Sequence, residues 1–171
     1  GDETIMEDLK AHLDEKLQKP FERFLYHMAN NALQYEPPLT FFKTIRTFTK
    51  DEQKVFNIKR TMTPIVDLVR VYALKNRVFR TNTGKRLEAL LEKGVFSYKE
   101  YHELIQAYYY LMGLRLKRQS RQIIVDHSEP DNFINIDSLT KIEVVTLIEI
   151  FKVIENFQTK IRLVFTKQLF A

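Results

Sequence analysis

The chain has 171 residues, 44% of them hydrophobic, with no cysteine and only four glycines and five prolines. That length suffices for one domain with a real core, the composition favours helices over sandwiches or barrels, and the lack of thiols excludes a disulfide framework and fits a reducing cytosol. The net charge of +5 raises the question of nucleic acid, but acids alternate with bases along most of the chain and only Arg115, Lys117, Arg118 and Arg121 form a dense basic cluster, so such binding is disfavoured.

Ile5, Leu9, Leu13 and Leu17 recur at i,i+4 and predict an amphipathic helix from about Thr4 to Gln18. Pro20 suits the first turn of a second helix running to about Tyr35, which Pro37 and Pro38 stop. Residues 39 to 58 are the least periodic. Phe41, Phe42, Ile45 and Phe48 suggest a short helix, 49–53 a turn, and Val55 to Lys59 a brief extended strand. A buried helix follows from about Met62 to Lys75. Asn82 and Thr83 cap another from about Gly84 to Lys93, with Gly94 in the stopping position. Ser97 with Glu100, and Thr140 with Glu143, have capping-box spacing and open long helices to about Ile124 and about Leu169, separated by a polar loop from Asp126 to Asp137. With no repeat, low-complexity tract or long linker, the expectation is one all-α domain over 1–171, an antiparallel helical bundle with short connections.

The polar residues inside apolar helices are the most informative feature. Pro64 to Leu74 is apolar on every side except at Asp67 and Arg70, and a helix that greasy belongs in the middle of a bundle. Its two charges must be paired, ligand-facing or both; their i,i+3 spacing allows direct contact. In the long helix Tyr101, Leu104, Ile105, Tyr108, Leu111 and Met112 share one stripe, which continues as Arg115, Gln119 and Gln122. Arg115 either pairs with a buried acid such as Asp67 while Gln119 satisfies backbone groups, or the two line a cavity for an anionic ligand. Lys117, Arg118 and Arg121 point elsewhere, into solvent. Lys59 and Arg86 bring further positive charge towards the same end of the bundle.

His12, His27, His102 and His127 lack metal-ligand spacing, and no Gly-rich phosphate loop, Ser/His/Asp set or paired-carboxylate motif appears, so neither a metal site nor catalysis is expected of this chain alone. No apolar run approaches the ~18–20 residues that span a bilayer, and the acidic start is unlike a secretion signal, so no membrane partner is expected and a cytoplasmic location is.

Pro37-Pro38-Leu39, Asn57-Ile58-Lys59, Pro64 to Arg70, Asn82-Thr83 with Arg86-Leu87, Arg115 with Gln119, Asp131-Asn132, Ser138-Leu139 and Gln158 stand in an order and spacing that resembles the nucleotidyltransferase substrate-binding domain of bacterial signal-transduction proteins. The resemblance runs from about residue 20 to the end. It implies a helical, non-catalytic domain that orients an acceptor against an adjoining nucleotidyltransferase domain similar to the PII-protein uridylyltransferase, in parents that also carry CBS or cyclic-nucleotide-binding modules. Residues 1–20 would then be the connecting helix from that upstream domain. It further implies that the parent uses a nucleoside triphosphate and Mg2+ held elsewhere, and that the acceptor, a small molecule or a protein, meets Lys59, Asp67, Arg70, Arg86, Arg115 and Gln119. Where that family usually has Asp, this chain has Asn57. The rival expectations are a helical nucleic-acid-binding module and an interaction bundle that forms a homodimer.

Overall fold

A computed structural model describes residues 3–17 and 22–166. Six helices carry the fold: α1 (Glu3–Lys16), α2 (Glu22–Ala32), α3 (Ile58–Lys75), α4 (Thr83–Glu92), α5 (Tyr98–Ile124) and α6 (Lys141–Ile161). α6 continues into a wider π-type turn at Arg162–Thr166. Pro20 and Leu169, used above to mark helix ends, lie outside the described residues.

α3 is the central element, as its apolar surface predicts. It packs against α2, α4, α5 and α6, and Ile65, Leu68, Val69 and Val71 are fully buried. Against them stand Leu87 and Leu90 of α4, Leu104 and Leu111 of α5, and Leu147, Phe151 and Ile154 of α6. Each such side chain contributes about 1.5–3 kcal/mol by leaving water. α3 and α5 run antiparallel: Tyr72, near the end of α3, meets Phe96, just before α5, while the start of α3 and the far half of α5 both bond to Asn132.

Local chemistry sets the ends. Ser97 with Glu100 and Thr140 with Glu143 form both capping boxes in full. Gly94 has φ +67°; its amide bonds Leu91 O and that of Val95 bonds Leu90 O, a Schellman closure that needs a residue free of the left-handed penalty. α3 begins at Ile58 rather than near Met62 because the Asn57 side chain caps it, accepting from the Arg60 amide.

The expected short helix at Phe41–Phe48 is not formed. Pro37 and Pro38 cannot feed a helix, and the chain instead folds back on itself: Arg46 donates its amide to Pro38 O, Thr40 to Thr44 O, and Lys43 takes a positive φ at the bend. Phe41 and Phe42 stand at its tip, 91% and 84% exposed. Beyond it lies a small antiparallel sheet of β1 (Phe48–Lys50), β2 (Gln53–Asn57) and β3 (Phe133–Asn135), in the order β1-β2-β3. The expected strand at Val55–Lys59 is therefore β2, shifted towards the N-terminus because Ile58 and Lys59 already belong to α3. Asp51 and Glu52 both have positive φ, the left-handed pair that closes a two-residue hairpin with the twist of its strands. Asn57 faces Phe133 in the β2–β3 register, which brings the 126–132 loop to the start of α3. No helix among the described residues is long and apolar enough to cross a membrane.

Candidate functional site

The inward polar stripe of α5 is used to hold the chain's own loop. Arg115 donates Nε to Asn132 Oδ1 at 2.8 Å, Gln119 donates Nε2 to Asp131 O at 3.2 Å, and Gln122, 4% exposed, accepts the Asp131 amide at 3.1 Å. The Asp131 carboxylate caps the Phe133 amide at 3.1 Å, and Asn132 O accepts the Ile58 amide at 2.9 Å. One contiguous hydrogen-bonded run thus links α5 to β3 and to the first residue of α3. Of the two expectations for this stripe, Gln119 satisfies a backbone group as foreseen, but the partner of Arg115 is Asn132 and not Asp67.

At the other end of that run lies a cleft of about 530 Å3, between the Pro37–Pro38 turn, the sheet and the start of α3. Pro37, Pro38, Phe48, Phe133, Arg46 and Arg60 shape it, and Asn57 and Thr61 complete its α3 side. The turn is fixed by Gln158, a buried amide of α6 that donates to Tyr35 O at 2.7 Å. Phe48 and Phe133 meet edge to face at 5.7 Å, with the Lys50 ammonium 4.2 Å above Phe133. Arg46 spends one N–H on Leu39 O at 3.3 Å, and Arg60 lies 5.1 Å over the Tyr35 ring. Both guanidinium groups keep free donors, and Glu36 is the one acid among the lining residues. A cleft of this size with an apolar wall and two planar cations suits a small ligand bearing a carboxylate or phosphate.

The six candidate residues fall in three places. Lys59 is exposed on the first turn of α3, beside Arg60, with no acid partner among the described residues. Arg115 and Gln119 support the cleft at one remove and do not line it. Asp67 and Arg70 form the intrahelical pair that their spacing allows, at 2.8 Å, with side chains 23% and 43% exposed. Arg86 sits beside Arg70, which together with its burial holds its pKa below the usual arginine range, burial being the larger cause.

Arg46 and Arg60 were not legible as site residues. Arg46 lies in the stretch without periodicity, where no face can be assigned, and no motif or spacing in the sequence singles out Arg60. Nor is the basic cluster of α5 wholly solvated. Lys117 lies 3.6 Å from Glu143, Arg118 3.7 Å from Asp131 and Arg121 3.9 Å from Asp126, and Arg118 is partly buried because the 126–132 loop folds back over it. Among the described residues no three His, Asp or Glu side chains gather to hold a metal ion.

A scan of protein-family models matches residues 22–165 to the family described as putative nucleotidyltransferase substrate binding domain. Searches of curated proteins and of solved structures return no match.

Proposed function

Because the chain belongs to the nucleotidyltransferase substrate-binding domain family, we propose that it holds an acceptor in the cleft beside Arg46 and Arg60 and presents it to an adjoining nucleotidyltransferase domain. One observation carries the assignment: residues far apart in the sequence on which the family resemblance rests converge on this cleft. Pro37, Pro38 and Asn57 line it, Gln158 pins the turn, and Arg115 and Gln119 pin Asp131 and Asn132, which hold the start of α3.

The domain's contribution is orientation. An acceptor fixed at the mouth of a rigid wall meets its partner without the entropic cost of a free encounter, an effect of up to ~7–11 kcal/mol on a bimolecular barrier. Arg46 and Arg60 grip the acceptor's anionic group through paired N–H donors, Lys59 adds charge at the rim, and the flat faces of Phe48 and Phe133 take its apolar part. The nucleoside triphosphate and Mg2+ are assigned to the adjoining domain; among the described residues of this chain no three His, Asp or Glu side chains gather to hold a metal ion. Uridylyl or adenylyl transfer in a cytoplasmic bacterial signalling protein with CBS or cyclic-nucleotide modules is the setting this role fits.

Thermal-shift screening of the chain against small carboxylates and phosphates tests the cleft. A stabilising compound should lose about tenfold or more in affinity in Arg60→Ala, the loss of a charged hydrogen-bonding partner being worth ~1.5–3 kcal/mol. Undiminished binding in Arg60→Ala and Arg46→Ala alike would place the acceptor elsewhere.

A further inference from the structure

A second cavity, of about 150 Å3, lies between α1 and the α3–α4 connection and shares no lining residue with the cleft. Lys10, Arg70, Arg80 and Arg86 line it over an apolar floor that includes Leu13 and Leu74, and among the described residues no Asp or Glu lines it. Arg70 is partly neutralised by Asp67. Arg86 is not: it is partly buried, its guanidinium has no hydrogen-bond or ion-pair partner among the described residues, and Arg70 beside it carries a like charge.

That arrangement costs stability and nothing among the described residues offsets it, because a guanidinium partly withdrawn from water gains from an acceptor or an opposite charge. Several other cations do find one: Arg77 meets Asp14, Lys85 meets Glu88, and Lys160 meets Glu100. The helix turn that carries Arg86 is held in place by its neighbours. Leu87 and Leu90 of the same helix are fully buried, and the Asn82 cap, which accepts the Lys85 amide at 3.1 Å, fixes the first turn.

We propose that Arg86 and Arg70 form a binding site for the phosphate group of a small phosphorylated ligand, with Lys10 and Arg80 adding charge at its rim. Two guanidinium forks facing one cavity match the several acceptor oxygens of a phosphate, which supplies the negative charge that the chain omits. Asp67 is a positioning residue, holding Arg70 towards its neighbour. The ligand is either a free phosphorylated metabolite or the polyphosphate tail of the nucleotide bound by the adjoining domain. The second source alone rests on the function proposed above.

Calorimetric titration of the 171-residue chain with inorganic pyrophosphate at low salt, and of the parent protein with ATP, separates these. Arg86→Gln weakening pyrophosphate binding to the chain at least tenfold supports the site with a free ligand. A tenfold loss confined to ATP binding by the parent supports it with the nucleotide as ligand. Without ligand, Arg86→Gln should raise the melting temperature by about 2 °C, as loss of an unpaired cation would; a fall would mean that Arg86 is held by the fold and would overturn the proposal. So would pyrophosphate and ATP affinities indifferent to Arg86→Gln. If Arg60→Ala instead abolishes pyrophosphate binding, the anion occupies the cleft, and this proposal fails while the acceptor reading stands.

Discussion

Tyr72 carries its hydroxyl into a cage formed by Phe96, Phe157 and Phe165, with ring centroids 5.0, 5.8 and 5.4 Å away. The oxygen is buried and finds no hydrogen-bond partner among the described residues. Burial, with the Glu100 charge adding to it, pushes its pKa up to about 12. Removing an orphaned hydroxyl while keeping the ring relieves its desolvation, so Tyr72→Phe should raise unfolding stability by about 1 kcal/mol, measured by urea denaturation. Two other residues set the response to acid. Burial alone would raise the pKa of Glu100, but its bonds to Lys160 and to Ser97 more than offset this and hold it below the ordinary 4.5. Glu143 is lowered mainly by the Thr140 amide, with the Thr140 hydroxyl and Lys117 helping. A carboxylate with a lowered folded pKa stabilises the fold above its unfolded value, and that contribution disappears as the pH falls through the folded value. The urea midpoint should therefore drop as the pH falls below about 5 towards 3, and a Glu100→Gln, Glu143→Gln double variant should show a flatter profile with lower stability at neutral pH.

At the scale of elements, the polar end of α5 acts as a latch. Arg115, Gln119 and Gln122 bond the loop that leads into β3, and β3 in turn pairs with β2 just where α3 begins. Each of these bonds is worth roughly 0.5–1.5 kcal/mol, more where charge is involved. Arg115→Ala should lower stability by about 1–2 kcal/mol, and hydrogen exchange at the amides of Ile58 and Phe133 should speed up with it while those of α4 stay protected. A double-mutant cycle with Asn132→Ala should return a coupling of at least about 0.5 kcal/mol. No coupling would mean that the latch is dispensable. The position of Asn57 follows from the same linkage. An N-cap needs a short side-chain acceptor, which Asn supplies as well as Asp, so Asn57 makes the same capping bond to the Arg60 amide that an Asp there would make.

Over the whole molecule, the distribution of unmatched surface shows more than the net charge. The basic cluster of α5 has acids close by at Asp126, Asp131 and Glu143, which offset part of the positive field that a nucleic-acid backbone would meet there. Fluorescence anisotropy with mixed-sequence RNA should detect no binding at about physiological salt. The exposed apolar tip at Phe41 and Phe42 grows from the same strand-like turn whose base, Pro38 and Arg46, lines the cleft. On the function proposed above, these two large apolar rings in water beside the cleft offer a surface to the adjoining catalytic domain, which must approach there if acceptor and nucleotide are to meet. Replacing both with Ser should leave the melting temperature within about 2 °C, since neither is buried, and should lower nucleotidyl transfer by the parent protein. If light scattering instead finds the isolated chain dimeric, and the double variant monomeric, that surface serves a second copy.

Six helices and their order were legible in the sequence, because the apolar spacing of α1 and α5 and the caps at Asn82, Ser97 and Thr140 are local signals that act within one or two turns, whereas the short helix expected at Phe41–Phe48 did not form. The central place of α3 and the Asp67–Arg70 pair were legible for the same reason. Tertiary structure decided what local patterning cannot encode. The partner of Arg115 lies 17 residues away across a loop, the strands of the sheet are too short for their own periodicity to count, and the segment that holds Arg46 has none. The cleft is assembled from three such places, each fixed by hydrogen bonds that form only once the helices have packed.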